Sequence, residues 1–414
     1  MKDQPDDLRA DPLAAAPDIA PTREAGLDRL RAFLPRSARD YAAKRNHDLP
    51  GHPHVSTLSP WLRHRAVTEA EVAAAVLERH GPRGAEKFLG EVLWRTYFKG
   101  WLERRPGVWT DYRAGLARAR DRLAVEGGLR REWEAACEGR TGIAPFDDWA
   151  RQLVRESYLH NHARMWFASI WMHTLRLPWE LGADLFLRHL KDGDVASNTL
   201  SWRWVGGLHT RGKVYRARGS NIGKFTGGRY DPETLGHALA REAPGLDGPA
   251  HPDPIPVPED EGWERGKRTG LLLHDDDLHP AFLRARGLEP AAVAVLTTGA
   301  ALSPLAVSRR VLDFKAALCT DALRRWGGTG DGAVLTDVDA VAEWSRDAEV
   351  EQIVAPYAPV GPTQDALDAL AGRIGVPLVR PLRDWDAAAW PHATAGFFKL
   401  RSRAAAVFAT VAEG

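Results

Sequence analysis

Between positions 192 and 204 the chain reads Asp-Gly-Asp-Val-Ala-Ser-Asn-Thr-Leu-Ser-Trp-Arg-Trp, ahead of a turn at Gly206-Gly207. Asp192, Asp194 and Asn198 can together hydrogen-bond the edge of a heterocyclic ring, and Trp202 and Trp204 can stack on bases or relay electrons. Upstream stands Leu159-His160-Asn161-His162-Ala163-Arg164-Met165-Trp166, where Asn161, Arg164 and Met165 are spaced to share one helical face. Earlier still, Glu91, Trp94 and Arg95 share a face, with Glu91 and Arg95 an i,i+4 ion pair of favourable order. In Ser56-Thr57-Leu58-Ser59-Pro60, Ser59 reads as a helix N-cap with Pro60 at the first helical position. Hydroxyls beside open backbone N–H groups suit a diphosphate. Taken singly, each group has an ordinary structural explanation: a solvated salt bridge, a cap, a satisfied polar residue on a helix.

The elements that must position these groups are helical from Thr22 to about Leu239. Apolar residues recur at helical spacing (Leu27, Leu30, Phe33, Leu34; later Phe88 and Val92), and Gly and Pro punctuate. One helix is expected from about Asp148 to Leu175. Residues 243–268, with Pro252, Pro254, Pro256, Pro258 and the acidic Glu259-Asp-Glu, read as a semi-extended linker. Beyond it, short apolar runs at 271–273, 293–296, 334–335, 353–354 and 376–379 alternate with helical stretches at 303–326, 338–347 and 363–374. That alternation predicts a parallel sheet covered by helices. The boundaries expected are a disordered tail over 1–22, a helical domain over 23–242, the linker over 243–268 and an α/β domain over 269–414.

Composition sets wider limits. The chain has 414 residues, 44% hydrophobic and 27% charged, with a net charge of +1. That suits two globular domains, and any nucleic-acid affinity must come from a local basic patch. Cys137 and Cys319 form no metal or redox spacing, and no apolar run nears the ~20 residues of a membrane span. A cytoplasmic, monomeric protein without membrane attachment is expected. His274-Asp275-Asp276-Asp277 could suggest a metal, but no second ligand cluster follows it, and no metal is expected. Tryptophan is abundant at 16 residues. Part of it serves packing, and the rest is compatible with an aromatic cofactor site.

Taken in order, these segments resemble the FAD-binding core of the DNA photolyase/cryptochrome family. The resemblance implies an all-α FAD-binding domain followed by a smaller α/β domain with a five-stranded parallel, Rossmann-like sheet. In the family the α/β antenna domain comes first, so this chain looks circularly permuted. Leu271-Leu-Leu-His-Asp-Asp-Asp resembles the antenna domain's first strand and loop, and a second antenna chromophore is conceivable on that ground. The family's diphosphate loop reads Thr-Ser-x-Leu-Ser-Pro-Tyr-Leu. That assigns Ser56, Thr57, Leu58 and Ser59, with Tyr41, to the FAD phosphates; Val55 departs from the pattern. Photolyases carry Glu-Leu-x-Trp-Arg-Glu-Phe where this chain has Glu91 to Tyr97. By position Glu91 inherits hydrogen bonding to damaged bases, Trp94 stacking on them and Arg95 support of the flavin, while Thr96 replaces the family's acid. Arg164 is expected to pair with Asp192, Asp194 to accept from flavin N3–H and Asn198 to face N5. Asn161 with Met165 matches enzymes for cyclobutane dimers, although Leu159 and His162 depart from the family pattern. Trp202 and Trp179 match two members of the electron relay, with Trp133 the candidate third, and Trp204 matches the second clamp opposite Trp94. The resemblance therefore implies a lyase that splits cyclobutane pyrimidine dimers in UV-damaged DNA by blue-light-driven electron transfer from reduced FAD. The alternatives are a cryptochrome-like photoreceptor without repair and a non-photochemical flavin-binding scaffold.

Overall fold

The computed structural model describes residues 19–327 and 333–410. Residues 1–18 of the expected tail lie outside them. Residues 19–22, counted with that tail, are packed instead: Ile19 is buried, the Ala20 carbonyl accepts from the Trp61 indole, and Thr22 caps the helix Arg23–Phe33.

Helices follow one another from Arg23 to Ala238. Local signals account for several starts. Thr68 accepts from the Glu71 amide while the Glu71 carboxylate accepts from the Thr68 amide at 2.9 Å, a reciprocal cap that opens the helix Glu69–Gly84. Asp194 accepts from the Ser197 amide at 2.7 Å and opens the helix Val195–Val205. Ser59 does not cap; it is the first residue of Ser59–Arg63, whose cap position is Leu58. The single helix expected over 148–175 is broken. Ala144–Glu156 ends at Ser157 in a left-handed conformation (φ 56°), His160 caps Asn161–Ser169, and a π turn runs over Ile170–Thr174.

The chain then crosses residues 241–268 without regular structure but pinned to the helices: Leu246 N donates to Gly206 O and Ile255 N to Arg104 O, each at 2.9 Å. The sheet follows, with β1 Thr269–His274, β2 Ala292–Leu296, β3 Val334–Leu335, β4 Gln352–Val354 and β5 Leu378–Val379. All pairings are parallel, in the order β3-β2-β1-β4-β5. Alternation along a strand sends its side chains to opposite faces. Leu272, Ala294 and Ile353 pack under the helices Val338–Asp347 and Pro362–Ala371. Leu271, Leu273, Val293 and Val295 join the large core that also holds the helical half and the helix Arg309–Trp326. Both sheet faces are covered, as parallel sheets require.

Candidate flavin site and its surroundings

The helix starting at Asp194 and the helix starting at Asn161 bring the ring-edge candidates together. Arg164 donates to both oxygens of Asp192 at 3.0 and 2.9 Å, and Asp192 is buried. Burial opposes ionisation of Asp192, and Arg164 with the Ser59 hydroxyl outweighs it, holding the carboxyl below its usual range. Asn198 donates its amide N–H to the Ala183 carbonyl at 2.8 Å, which leaves its oxygen as the free acceptor of the side chain.

Asp194 is surrounded more fully than its sequence suggested. One oxygen caps its helix, and the other lies 3.7 Å from each of Arg63, Arg95 and Lys99. Burial works against its charge, and Lys99, Arg63 and Arg95 overcome that and hold the carboxyl well below its usual range. Arg95 Nη1 and Lys99 Nζ are buried without a hydrogen-bond partner among the described residues. The pyrimidine edge of a flavin alternates carbonyl acceptors with an N–H donor. Asp194 supplies an acceptor and Lys99 and Arg95 donors, so this set fits the edge of FAD. On the phosphate side the Ser56 side chain accepts from Leu58 N, and the Thr57 hydroxyl donates to the Ser56 carbonyl. Arg29 donates to Ser56 O at 2.7 Å and to Val55 O at 3.3 Å, which brings a cation to this loop. Tyr41 is buried against Phe33 and Phe88.

Other expected partners differ. Glu91 does not pair with Arg95: it is bound by Arg45, whose guanidinium lies over the Tyr41 ring, while Arg95 turns to Asp194. The chain brings Arg45 from the helix Arg39–Lys44 and its end, which no pattern along one helix could reveal. Trp94 stacks face to face on Phe397, with centroids 3.9 Å apart and planes at 9°. Trp204 stacks on Tyr215 at 5.8 Å, and Tyr215 in turn bonds His162. Asn161 is exposed and Met165 half-buried. Trp202 is buried edge-on against Phe186 at 5.2 Å and Trp171 at 6.2 Å. Trp179 meets Tyr112 at 5.6 Å, and Tyr112 stacks on Trp109 at 5.0 Å. The rings in contact with Trp179 are therefore those of the helix Gly107–Val125, Tyr112 and behind it Trp109, while Trp133 lies on the next helix, Gly127–Cys137.

Sequence reasoning also missed Arg63, Lys99 and Phe397. The Arg63-His64-Arg65 run beside the loop motif was a signal, since buried acids elsewhere needed partners. Phe397 carried none, being about 300 positions from Trp94. The Asp275–Asp277 run serves this partnering. Arg63 is bound by Asp276, Lys315 by Asp275 at 3.1 Å, and Arg383 by Asp277 at 2.5 Å. The His64 ring bonds the Asp275 carbonyl, and burial, Lys315 and Arg63 push its pKa down to about 3. The switch point of the sheet lies between β1 and β4, the usual ligand crevice of such sheets. Here the recess between Arg63, Lys99, Asp194, Asp276 and Pro359–Pro362 has a volume of about 10 Å³, room for one water.

Residues 88–234 match the family model described as the FAD binding domain of DNA photolyase. The chain is 32% identical over 274 residues to a deoxyribodipyrimidine photo-lyase of Streptomyces griseus, covering 61% of this chain and 58% of that protein. It is 35% identical over 253 residues to one of Thermus thermophilus, covering 60% and 56%. The chain thus spans less than three fifths of the length of these relatives. Among solved structures it is similar to a bacterial class III photolyase from Agrobacterium tumefaciens (27% identity, TM-score 0.41, 50% of this chain and 43% of that one). It is also similar to a cryptochrome of Synechocystis (21% identity, TM-score 0.40, 51% and 44%).

Proposed function

We propose, for a chain that belongs to the DNA photolyase/cryptochrome family and carries its FAD-binding domain, that it splits cyclobutane pyrimidine dimers in UV-damaged DNA under blue light. The observation that carries this reading is the buried cluster of Asp194 with Arg95 and Lys99, with Asn198 one turn further along the Asp194 helix; Trp94, Met165 and Trp204 are half-buried and Asn161 is exposed. Bound FAD supplies the electron that opens the dimer and takes it back, so no net redox change results. Arg164 and Asp192 brace each other beside the ring. Asp194 would accept from the N3–H of a bound flavin, and the cations around it would favour an anionic cofactor. Asn198 offers a neutral amide where an acid would release a proton. Trp202 begins an aromatic route away from the ring. Trp94 and Trp204 supply apolar faces for a displaced base, and base–aromatic stacking of this kind contributes ~1–3 kcal/mol per base. We read the order of the two halves, helical before α/β, as a circular permutation of the family's arrangement.

A second reading, a photoreceptor without repair, is favoured by one observation: Glu91 and Trp94 already have partners in this chain, Arg45 and Phe397. The deciding experiment is illumination of the FAD-loaded protein with a dimer-containing oligonucleotide. Recovery of intact thymines is expected. A flavin-loaded protein that photoreduces but leaves the dimers in place would hand the assignment to the photoreceptor. Trp204→Ala should weaken binding to the damaged oligonucleotide about ten- to a hundredfold with FAD retained.

A further inference from the structure

We infer that Phe397 belongs to the lesion pocket as a place-holder: its ring lies on Trp94 where a flipped base would stack, and a lesion binds by displacing it. The inference rests on the repair reading above. Its ground is the geometry. A 3.9 Å, 9° parallel overlap is the arrangement a nucleobase adopts on an indole, and Phe397 comes from the far end of the chain. The Glu86–Glu103 helix is shaped to receive that end. Thr96, where the family has an acid, is buried and accepts from the Trp385 indole at 2.9 Å. A buried carboxylate there would have to be desolvated beside an indole. Gly100 lets Trp390 lie on the helix backbone, since a Cβ would stand 2.5 Å from Trp390 Cδ1. Tyr97 donates to the Ala395 carbonyl and Arg105 to the Thr394 carbonyl, both at 2.8 Å. These contacts carry the chain to Gly396, directly ahead of Phe397.

The moving part is small. Phe397–Arg401 is a helix of five residues, and Leu400 is fully buried and anchors it. The ring of Phe397 must therefore swing while the helix stays. The next side chain, Phe398, is 74% exposed, and Lys399 and Arg403 are exposed beside it. These exposed cations, two and six positions after Phe397, are available to a phosphate backbone that approaches this segment.

Phe397→Ala removes the competitor and should tighten binding to a dimer-containing duplex about tenfold, the scale of one aromatic pair, with intact duplex unchanged. Phe397→Trp should restore or exceed the competition, and Phe397→Leu serves if the alanine variant does not fold. FAD content and thermal midpoint are recorded for each variant. If wild type prefers damaged DNA and Phe397→Ala binds it equally or less tightly, Phe397 is a fixed wall and the inference fails while the repair reading stands. If wild type shows no preference and Phe397→Ala acquires one, both stand. If neither protein distinguishes damaged from intact duplex, the repair reading falls and the place-holder with it.

Discussion

Asp194 shows how one carboxylate serves folding and chemistry together. Its first oxygen holds the Ser197 amide at a helix start, and its second is 3.7 Å from three cations. The two roles separate by substitution, because Asn caps a helix about as well as Asp. Asp194→Asn should keep the cap and strand the cations, costing ~3–5 kcal/mol, the range for breaking a buried pair. The measurement is the shift in urea midpoint at constant slope. Asp194→Ala should add ~1 kcal/mol for the lost cap. Because the carboxyl's pKa is depressed on folding, its contribution is present above the ordinary carboxylate range and is lost as pH falls below it. At this scale the residue types were legible: carboxylates and an amide near two indoles announce a ring site. The cations were not, since Lys99 lies on another helix and Arg63 at the end of a short one.

The Glu86–Glu103 helix shows what an element adds. One side turns Arg95 and Lys99 to Asp194, and another receives the chain's C-terminal part through Thr96, Gly100 and Trp94. Gly100→Ala would press a methyl into Trp390 and should cost ~1–3 kcal/mol, the range for overpacking a rigid contact. Thermal unfolding reads the loss, and a midpoint within a degree of wild type would show that Trp390 can yield. Gly182, whose Cβ would stand 2.3 Å from Trp202 Cη2, carries the same expectation for the aromatic path. Helical periodicity exposed these elements, and the five strand runs were equally plain from short apolar segments between turns. The break at Ser157 was hidden, because a serine in left-handed conformation carries no sequence mark comparable to glycine or proline.

Across the whole molecule the two halves share a buried polar interface. Arg65 meets Asp386 at 2.7 Å, Ser303 donates to Asp184 at 2.6 Å, and Tyr357 donates to Glu103 at 2.9 Å. Burial raises the pKa of Glu103 to about 7 against the hydrogen bonds from Tyr357, Val360 N and Gln364. A carboxyl whose pKa rises on folding binds its proton more tightly in the folded state. Its contribution is full below the unfolded pKa, near 4.5, and is lost as pH rises through about 7. Glu103→Gln keeps a neutral side chain of the same shape. Its stability relative to wild type should rise between pH 5 and pH 8, by on the order of 3 kcal/mol at most. Denaturant unfolding at the two pH values checks this, and a difference independent of pH would mean that Glu103 remains ionised throughout.

The sequence alone determined most element types and the strand–helix alternation after residue 268, because these depend on periodicity within a few turns; the candidate flavin-edge residues came from the family resemblance of their segments. Tertiary structure alone decided which charges face which. It set Arg45 on Glu91, Arg63 between Asp194 and Asp276, Tyr112 beside Trp179 and Phe397 on Trp94. Each of these joins segments far apart in the chain, and burial magnifies what each contact contributes. A local pattern cannot encode a partner that arrives only when the core closes.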